Sequence, residues 1–161
     1  MQIRKALPAD LPRILEIEKA CFPPAEAAAE ESLKSRLAAF TDSFLVAEEP
    51  GSGIIGFING CVSDSPVIQD AMFHDIGRHD PAGAYQCIFG LDVLPGFRRR
   101  GIAASLMESL VASARASGRR GLVLTCKDVL IPYYAGFGFV DRGVSASTHG
   151  GAIWHDMFLG F

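Results

Sequence analysis

Residues 91–104 read Leu91-Asp92-Val93-Leu94-Pro95-Gly96-Phe97-Arg98-Arg99-Arg100-Gly101-Ile102-Ala103-Ala104. Upstream, Tyr85, Cys87, Phe89, Leu91 and Val93 share one face at the two-residue period of a β-strand, and Pro95-Gly96 ends it. Downstream, Ala103, Leu106, Met107, Leu110, Val111 and Ala114 recur at intervals of three and four, which gives a helix one apolar face until Gly118 stops it. The turn between them is held at both ends. The opening amides of a helix have no acceptor within it, and the aligned peptide dipoles place about half a positive charge there. Gly101, Ile102, Ala103 and Ala104 therefore offer donors to an anion, and Gly101 lets it approach closely. Arg98, Arg99 and Arg100 add charge and planar donors suited to phosphate oxygens. A solvated basic turn is the alternative for the arginines alone, but their position at a strand-to-helix junction favours a pyrophosphate. The spacing excludes a three-glycine dinucleotide fingerprint and a Gly-Lys-Ser/Thr phosphate loop.

Arg98, Gly101 and Ala103 at this spacing resemble the Gln/Arg-x-x-Gly-x-Gly/Ala signature of the GNAT acyltransferase superfamily. Further on, Leu122-Val-Leu-Thr-Cys-Lys127 reads as the next strand, and Tyr134-Ala-Gly-Phe-Gly-Phe139 resembles that superfamily's Tyr-x-x-x-Gly-Phe. Lys127 to Tyr134, Cys21-Phe-Pro-Pro-Ala-Glu26 and the strand leading to Leu91 and Val93 are similar to arylalkylamine N-acetyltransferases. The resemblance implies a three-layer α-β-α fold whose mixed, mostly antiparallel central sheet splays at the cofactor site. It also implies acetyl-CoA as the acyl donor, bound by Arg98 to Ala104, with the backbone of Leu91 and Val93 holding the pantetheine and the acetyl carbonyl. Tyr134 then takes the role of general acid toward the departing thiolate.

At 161 residues and 49% hydrophobic content, the chain is long enough for one sizeable core, and a single acetyltransferase domain over 1–161 is expected. A formal charge of −3 and a pI near 5.8 argue against general nucleic-acid binding, because the basic residues cluster only at Arg98–Arg100. Met1-Gln-Ile-Arg-Lys5 alternates like a strand rather than a secretion signal, and no apolar run is long enough to span a bilayer. A cytoplasmic enzyme that uses a small-molecule amine, with homodimer formation left open, fits these limits. Cys21, Cys61, Cys87 and Cys126 are far apart in apolar surroundings and read as reduced packing residues; an acyl-thioester nucleophile at Cys87 or Cys126 has no nearby histidine to support it. His74-Asp-Ile-Gly-Arg-His79-Asp80 reads as a polar loop rather than a metal site, since its imidazoles are five residues apart around a glycine.

The periodicity predicts a strand near 2–6, helices over 9–20 and 26–40, and a hairpin of 44–48 with 54–62. A long polar excursion over 63–81 precedes the central strand over 85–93, which the resemblance implies is bulged. After the phosphate helix come a strand at 122–126, a short helix at 129–135 and closing strands at 137–141 and 152–159. This order describes a mixed α/β domain.

Transfer of an acetyl group to an amine needs a neutral nitrogen, a polarised carbonyl and a proton for the thiolate. A phenol of pKa about 10 is protonated at neutral pH and can supply that proton, which suits Tyr134; packing of the short helix is its bland alternative, and is the role assigned to Tyr133. The base is harder to assign. The two histidines that the arylalkylamine enzymes carry on the central strand correspond here to Cys87 and Phe89, which cannot relay a proton as imidazoles do. Glu26, His155 and an ordered water are the substitutes considered. Phe22, Glu26, Phe89 and His155 are the candidate acceptor-binding residues, with Phe40, Phe57 and Trp154 as further aromatic candidates that more often serve as core. The expected reaction is direct transfer in a ternary complex to a small or aromatic primary amine. A protein or peptide acceptor, and a non-catalytic acyl-CoA-binding module, are the alternatives.

Overall fold

The computed structural model describes residues 1–161. Nine strands and four α-helices follow in order: β1 Gln2–Lys5, α1 Leu11–Cys21, α2 Glu30–Ala39, β2 Phe44–Glu49, β3 Gly53–Asn59, β4 Val62–Ser63, β5 Tyr85–Ile88, β6 Gly90–Val93, α3 Ile102–Ala116, β7 Gly121–Cys126, α4 Ile131–Ala135, β8 Val140–Val144 and β9 His155–Gly160. They form two hydrogen-bonded blocks, β1-β2-β3-β6 and β4-β5-β7-β9-β8. Only the β5–β7 pairing is parallel.

Strand alternation sorts the side chains into two cores, one on each face. Leu45, Ala47, Ile55 and Ile58 face α3 and pack on Ile102, Leu106, Met107, Leu110 and Ala114. Phe44, Val46, Ile54 and Phe57 face the other way, onto Ile14 and Ile17 of α1 and Leu33 and Leu37 of α2. Each fully buried leucine or isoleucine contributes about 1.5–3 kcal/mol, so the two apolar stripes pin helices to both faces. The expected three-layer α-β-α arrangement follows.

The central strand bulges and splays from its neighbour, as the resemblance implied. It is not continuous over 85–93 but divides between the two blocks, β5 pairing with β7 and β6 with β3. Asn59 is paired with Gly90, yet its carbonyl accepts the Phe89 amide at 2.7 Å, so two residues oppose one in a bulge. On the neighbouring strand the matching break falls at Gly60, where a Cβ would lie 1.8 Å from the Cys87 carbonyl oxygen; only glycine permits this backbone approach.

Other boundaries shift for local reasons. The second helix begins at Glu30, not Glu26, because Pro23 and Pro24 lead into a turn in which the Glu26 and Ala27 amides both donate to the Pro23 carbonyl. Residues 137–139 form a turn after α4, with Gly138 at φ 102, so the strand predicted from 137 starts at Val140. The last strand starts at His155 rather than 152, after a turn at His149–Gly151. The excursion over 63–81 contains two 3-10 turns and is tied down by Asp70, which accepts from the Ser147 hydroxyl and from the Thr148 amide at 3.0 Å.

Candidate functional site

β6 and β7 diverge beyond the Ile88–Leu124 pair, and a cavity of about 640 Å³ opens between them. Gly90, Leu91 and Val93 line one side; Leu124, Thr125 and Cys126 line the other. The ladder register explains what the open edge offers. The Leu94 amide donates to the Ile55 carbonyl, so hydrogen-bonded pairs fall at residues 94, 92 and 90, and Leu91 and Val93 turn their amides and carbonyls away from β3. On that side β6 has no partner strand. Leu91 thus turns backbone groups with no β-strand partner to the slot, as a guest strand would require, while the Val93 carbonyl is taken by Arg98 Nε and Cys21 Sγ.

The amino terminus of α3 stands at one end of the slot, and Arg98, Arg99, Gly101, Ile102, Ala103 and Ala104 all line the cavity there. Arg99 at φ 64 and Gly101 at φ 77 wrap the turn, and nothing lies within 4 Å of where a Gly101 side chain would begin. Arg98 is braced: its Nε donates to the Val93 carbonyl at 2.9 Å and its Nη2 reaches Cys21 Sγ at 3.6 Å. Arg100 is not among the lining residues; its guanidinium stacks 5.1 Å from the Phe97 ring centroid.

Tyr134, from α4, lines the cavity near Cys126. Its ring stands edge-on to Tyr133 and Phe139, and burial holds its phenol well above the usual range, reinforced by Cys126, Tyr133 and Asp92. It is a neutral proton donor at any physiological pH. Tyr133 also lines the cavity but is 43% exposed, so it is less enclosed than a pure packing residue. Burial pushes the Cys126 thiol up to about 11. Cys87 is wholly buried, and its contact with Cys61 and then burial hold its thiol well above the ordinary range. Neither thiol is activated as a nucleophile.

Phe22, Glu26 and Phe89 line the cavity, as does Trp154. The Glu26 carboxylate pairs with Lys127 Nζ at 2.6 Å, and the Lys127 ammonium lies 5.8 Å from the Trp154 ring centroid. Phe40 and Phe57 belong to the core behind, not to the lining. His155 lies outside the cavity and pairs with Asp141 at 3.2 Å. The imidazole that does reach the cavity is His149, held by Nε2 against the Glu26 carbonyl at 3.0 Å and packed near Phe73 and Trp154. Its glycine-flanked loop gave no sequence signal. His79 of the predicted polar loop is pinned inward, its Nδ1 accepting the Val62 amide at 3.0 Å.

Sequence reasoning also missed three buried ionisable side chains. Glu18 and Arg36, each 5% exposed, line the cavity from α1 and α2, and Asp92, 1% exposed, lies beside them on β6. Arg36 donates to Asn59 Oδ1 at 3.2 Å and to the Phe73 carbonyl at 3.0 Å, stacks on Phe89, and burial lowers its pKa to about 10. The signal existed: Glu18 follows Ile14 and Ile17, and Arg36 sits between Leu33 and Leu37, so each interrupts an apolar helix stripe.

Residues 11–139 match the Acetyltransferase (GNAT) family, and the chain belongs to it. Comparison with curated proteins gave no match. Among solved structures the chain is similar to the GphF GNAT-like decarboxylase in complex with isobutyryl-CoA, at 20% identity over 99% of both chains with a TM-score of 0.86. It is similar to the loading GNATL domain of CurA from Lyngbya majuscula, at 14% identity over 99% of this chain and 96% of that one, TM-score 0.84. It is also similar to Naa20 from Chaetomium thermophilum in complex with a bisubstrate analogue, at 23% identity over 100% of this chain and 87% of that one, TM-score 0.75. Acetyl-CoA is the cosubstrate of this acyltransferase fold, and the open β6 edge and unobstructed α3 terminus fit its pantetheine and pyrophosphate. No helix is long and apolar enough to cross a membrane.

Proposed function

We propose that the chain is an N-acetyltransferase that moves the acetyl group of acetyl-CoA to a small or aromatic primary amine by direct attack in a ternary complex. One observation carries this reading: a single cavity joins the α3 amino terminus, the unpaired β6 edge, Tyr134 and an aromatic wall. The α3 amides and Arg98 bind the pyrophosphate, and a backbone amide of β6 polarises the thioester carbonyl. The amine nitrogen then bonds to that carbon as the carbon–sulfur bond breaks. Tyr134 protonates the departing thiolate, the ammonium proton leaves to water, and water returns a proton to the Tyr134 phenolate. The raised thiols at Cys87 and Cys126 support transfer without an acyl-enzyme. Likeness to arylalkylamine enzymes supports an aromatic acceptor, and the anchored excursion over 63–81 favours a small acceptor over a peptide.

A second reading is decarboxylation of a carboxyacyl-CoA, favoured by the buried Arg36 guanidinium, which faces the cavity with no carboxylate within 4.0 Å. That reaction releases carbon dioxide and takes up one proton. Thiol release from acetyl-CoA over a panel of arylalkylamines, polyamines and peptides, run beside carbon dioxide release from malonyl-CoA, separates the two. Amine-dependent thiol release is expected; carbon dioxide release without it would overturn the transferase reading.

A further inference from the structure

The acceptor nitrogen must lose a proton as it bonds to the thioester carbon, and the cavity holds an imidazole whose geometry suits it to receive one. His149 lines the cavity, with its Nε2 at 3.0 Å from the Glu26 carbonyl. A carbonyl oxygen only accepts, so Nε2 carries the proton and Nδ1 of the neutral ring keeps a lone pair. Nδ1 has no partner within the protein. The unpartnered side-chain atoms that are sealed from solvent are Asp92 Oδ1 and Oδ2 and Asp156 Oδ1, so His149 Nδ1 is open to water.

The ring is fixed from several directions. The His149 amide donates to the Ser147 hydroxyl oxygen at 3.3 Å, and its carbonyl accepts the Trp154 indole N–H at 2.8 Å. Asp70, from the excursion over 63–81, accepts from Ser147 and Thr148 of the same loop. The ring centroid lies 4.9 Å from that of Phe73, which lies 4.9 Å from that of Phe89, the residue that leads into β6. His149 therefore stands on the aromatic wall beside the β6 edge.

Other groups are less suited to take the proton. The Glu26 carboxylate is held by Lys127 at 2.6 Å, and His155 is outside the cavity. Glu18 is 5% exposed and its Oε2 accepts the Ala28 amide at 2.8 Å. The exposed His74 borders the cavity, its ring 6.4 Å from that of His149, but no hydrogen bond sets its tautomer. The charged and titratable groups around the His149 ring are thus Asp70 and His74 of the excursion and the Glu26–Lys127 pair. The Asp70 carboxylate is close enough to attract a proton's charge on the ring.

We propose that His149 is the general base for the acceptor nitrogen, taking its proton at Nδ1 through water. The neutral amine bonds to the thioester carbon, its proton passes by water to Nδ1, and the carbon–sulfur bond breaks. Tyr134 protonates the thiolate. The imidazolium then yields its proton to solvent as water restores the phenol, so an amine and a thioester become an amide and a thiol with no net change in protons. This rests on the reading that the cavity acylates an amine.

The test is thiol release from acetyl-CoA with 2-phenylethylamine between about pH 5.5 and 8.5, with rates expressed per neutral amine so that the acceptor's own ionisation drops out. Wild-type kcat/KM is expected to fall on the acid side, because a protonated Nδ1 receives nothing. His149→Gln keeps a donor for the Glu26 carbonyl but removes the base. It should lower kcat at least about tenfold, leave KM within about threefold and abolish the acid limb, which His74→Gln should retain. Added imidazole should raise the rate of His149→Ala at least about threefold, an effect that a merely structural role would not produce. Nitrogen NMR of the wild-type imidazole should place the proton of the neutral ring on Nε2. A proton on Nδ1 would overturn the proposal even if neither variant folds, as would an acid limb that survives in folded His149→Gln. If amines are acetylated and His149→Gln behaves as wild type, the base falls and the transferase reading stands; if no amine yields thiol, both fall.

Discussion

Arg98 Nε donates to the Val93 carbonyl at 2.9 Å, tying the turn before α3 to the last residue of β6. Arg98 and Arg99 line the cavity, while Arg100 is not among the lining residues and lies against Phe97. Arg98→Ala is expected to weaken coenzyme A binding by about ten- to a hundredfold, the effect of one charge-assisted hydrogen bond. Arg100→Ala should change it less than threefold. Calorimetric titration of both variants checks the contrast, and equal losses would show that the cluster acts only as diffuse charge.

Tyr134 is held protonated by its buried position. Tyr134→Phe should leave coenzyme A affinity within about twofold and lower turnover at least about tenfold. Thiol-release kinetics beside calorimetry measure both. Unchanged turnover would remove the phenol from the reaction.

Gly101 adopts φ 77 with open space around it, so a methyl group there strains the backbone without a clash. Gly101→Ala should lower stability by about 1–2 kcal/mol. At Gly60 the obstacle is backbone itself, the Cys87 carbonyl. Gly60→Ala is therefore expected to be the worse of the two, at about 3 kcal/mol or more. Urea unfolding of both variants gives the order.

His79 is held neutral in the fold, because burial and then the nearby Arg119 charge lower its pKa. The unfolded chain protonates more readily, near pH 6.5, so stability present above that pH is lost as pH falls through it toward the lower folded value. Melting temperature should decrease from pH 7.5 to 5.5, and His79→Gln should flatten that slope. A slope identical to wild type would assign the acid sensitivity to other groups.

The element order and the glycine-opened amino terminus of α3 were legible in the sequence because both rest on local pattern. The period of Leu106, Leu110 and Ala114, and the glycine before them, fix a helix and leave its first amides free wherever the chain goes next. Even the misplaced starts at Glu30, Val140 and His155 are errors of a few residues at turns. Glu18 and Arg36 were visible as charges on apolar stripes, but periodicity does not tell which buried charges meet.

Sequence alone determined the alternation of strands and helices and the basic, glycine-broken turn before α3, since each follows from neighbours a few residues apart. Only the tertiary structure decided that residues 85–93 split between two sheets at Phe89. The same packing turned His149 rather than His155 into the cavity and set Glu18 against Asp92. Those outcomes depend on contacts between distant segments, where backbone pairing and side-chain volume, not local period, choose the partner.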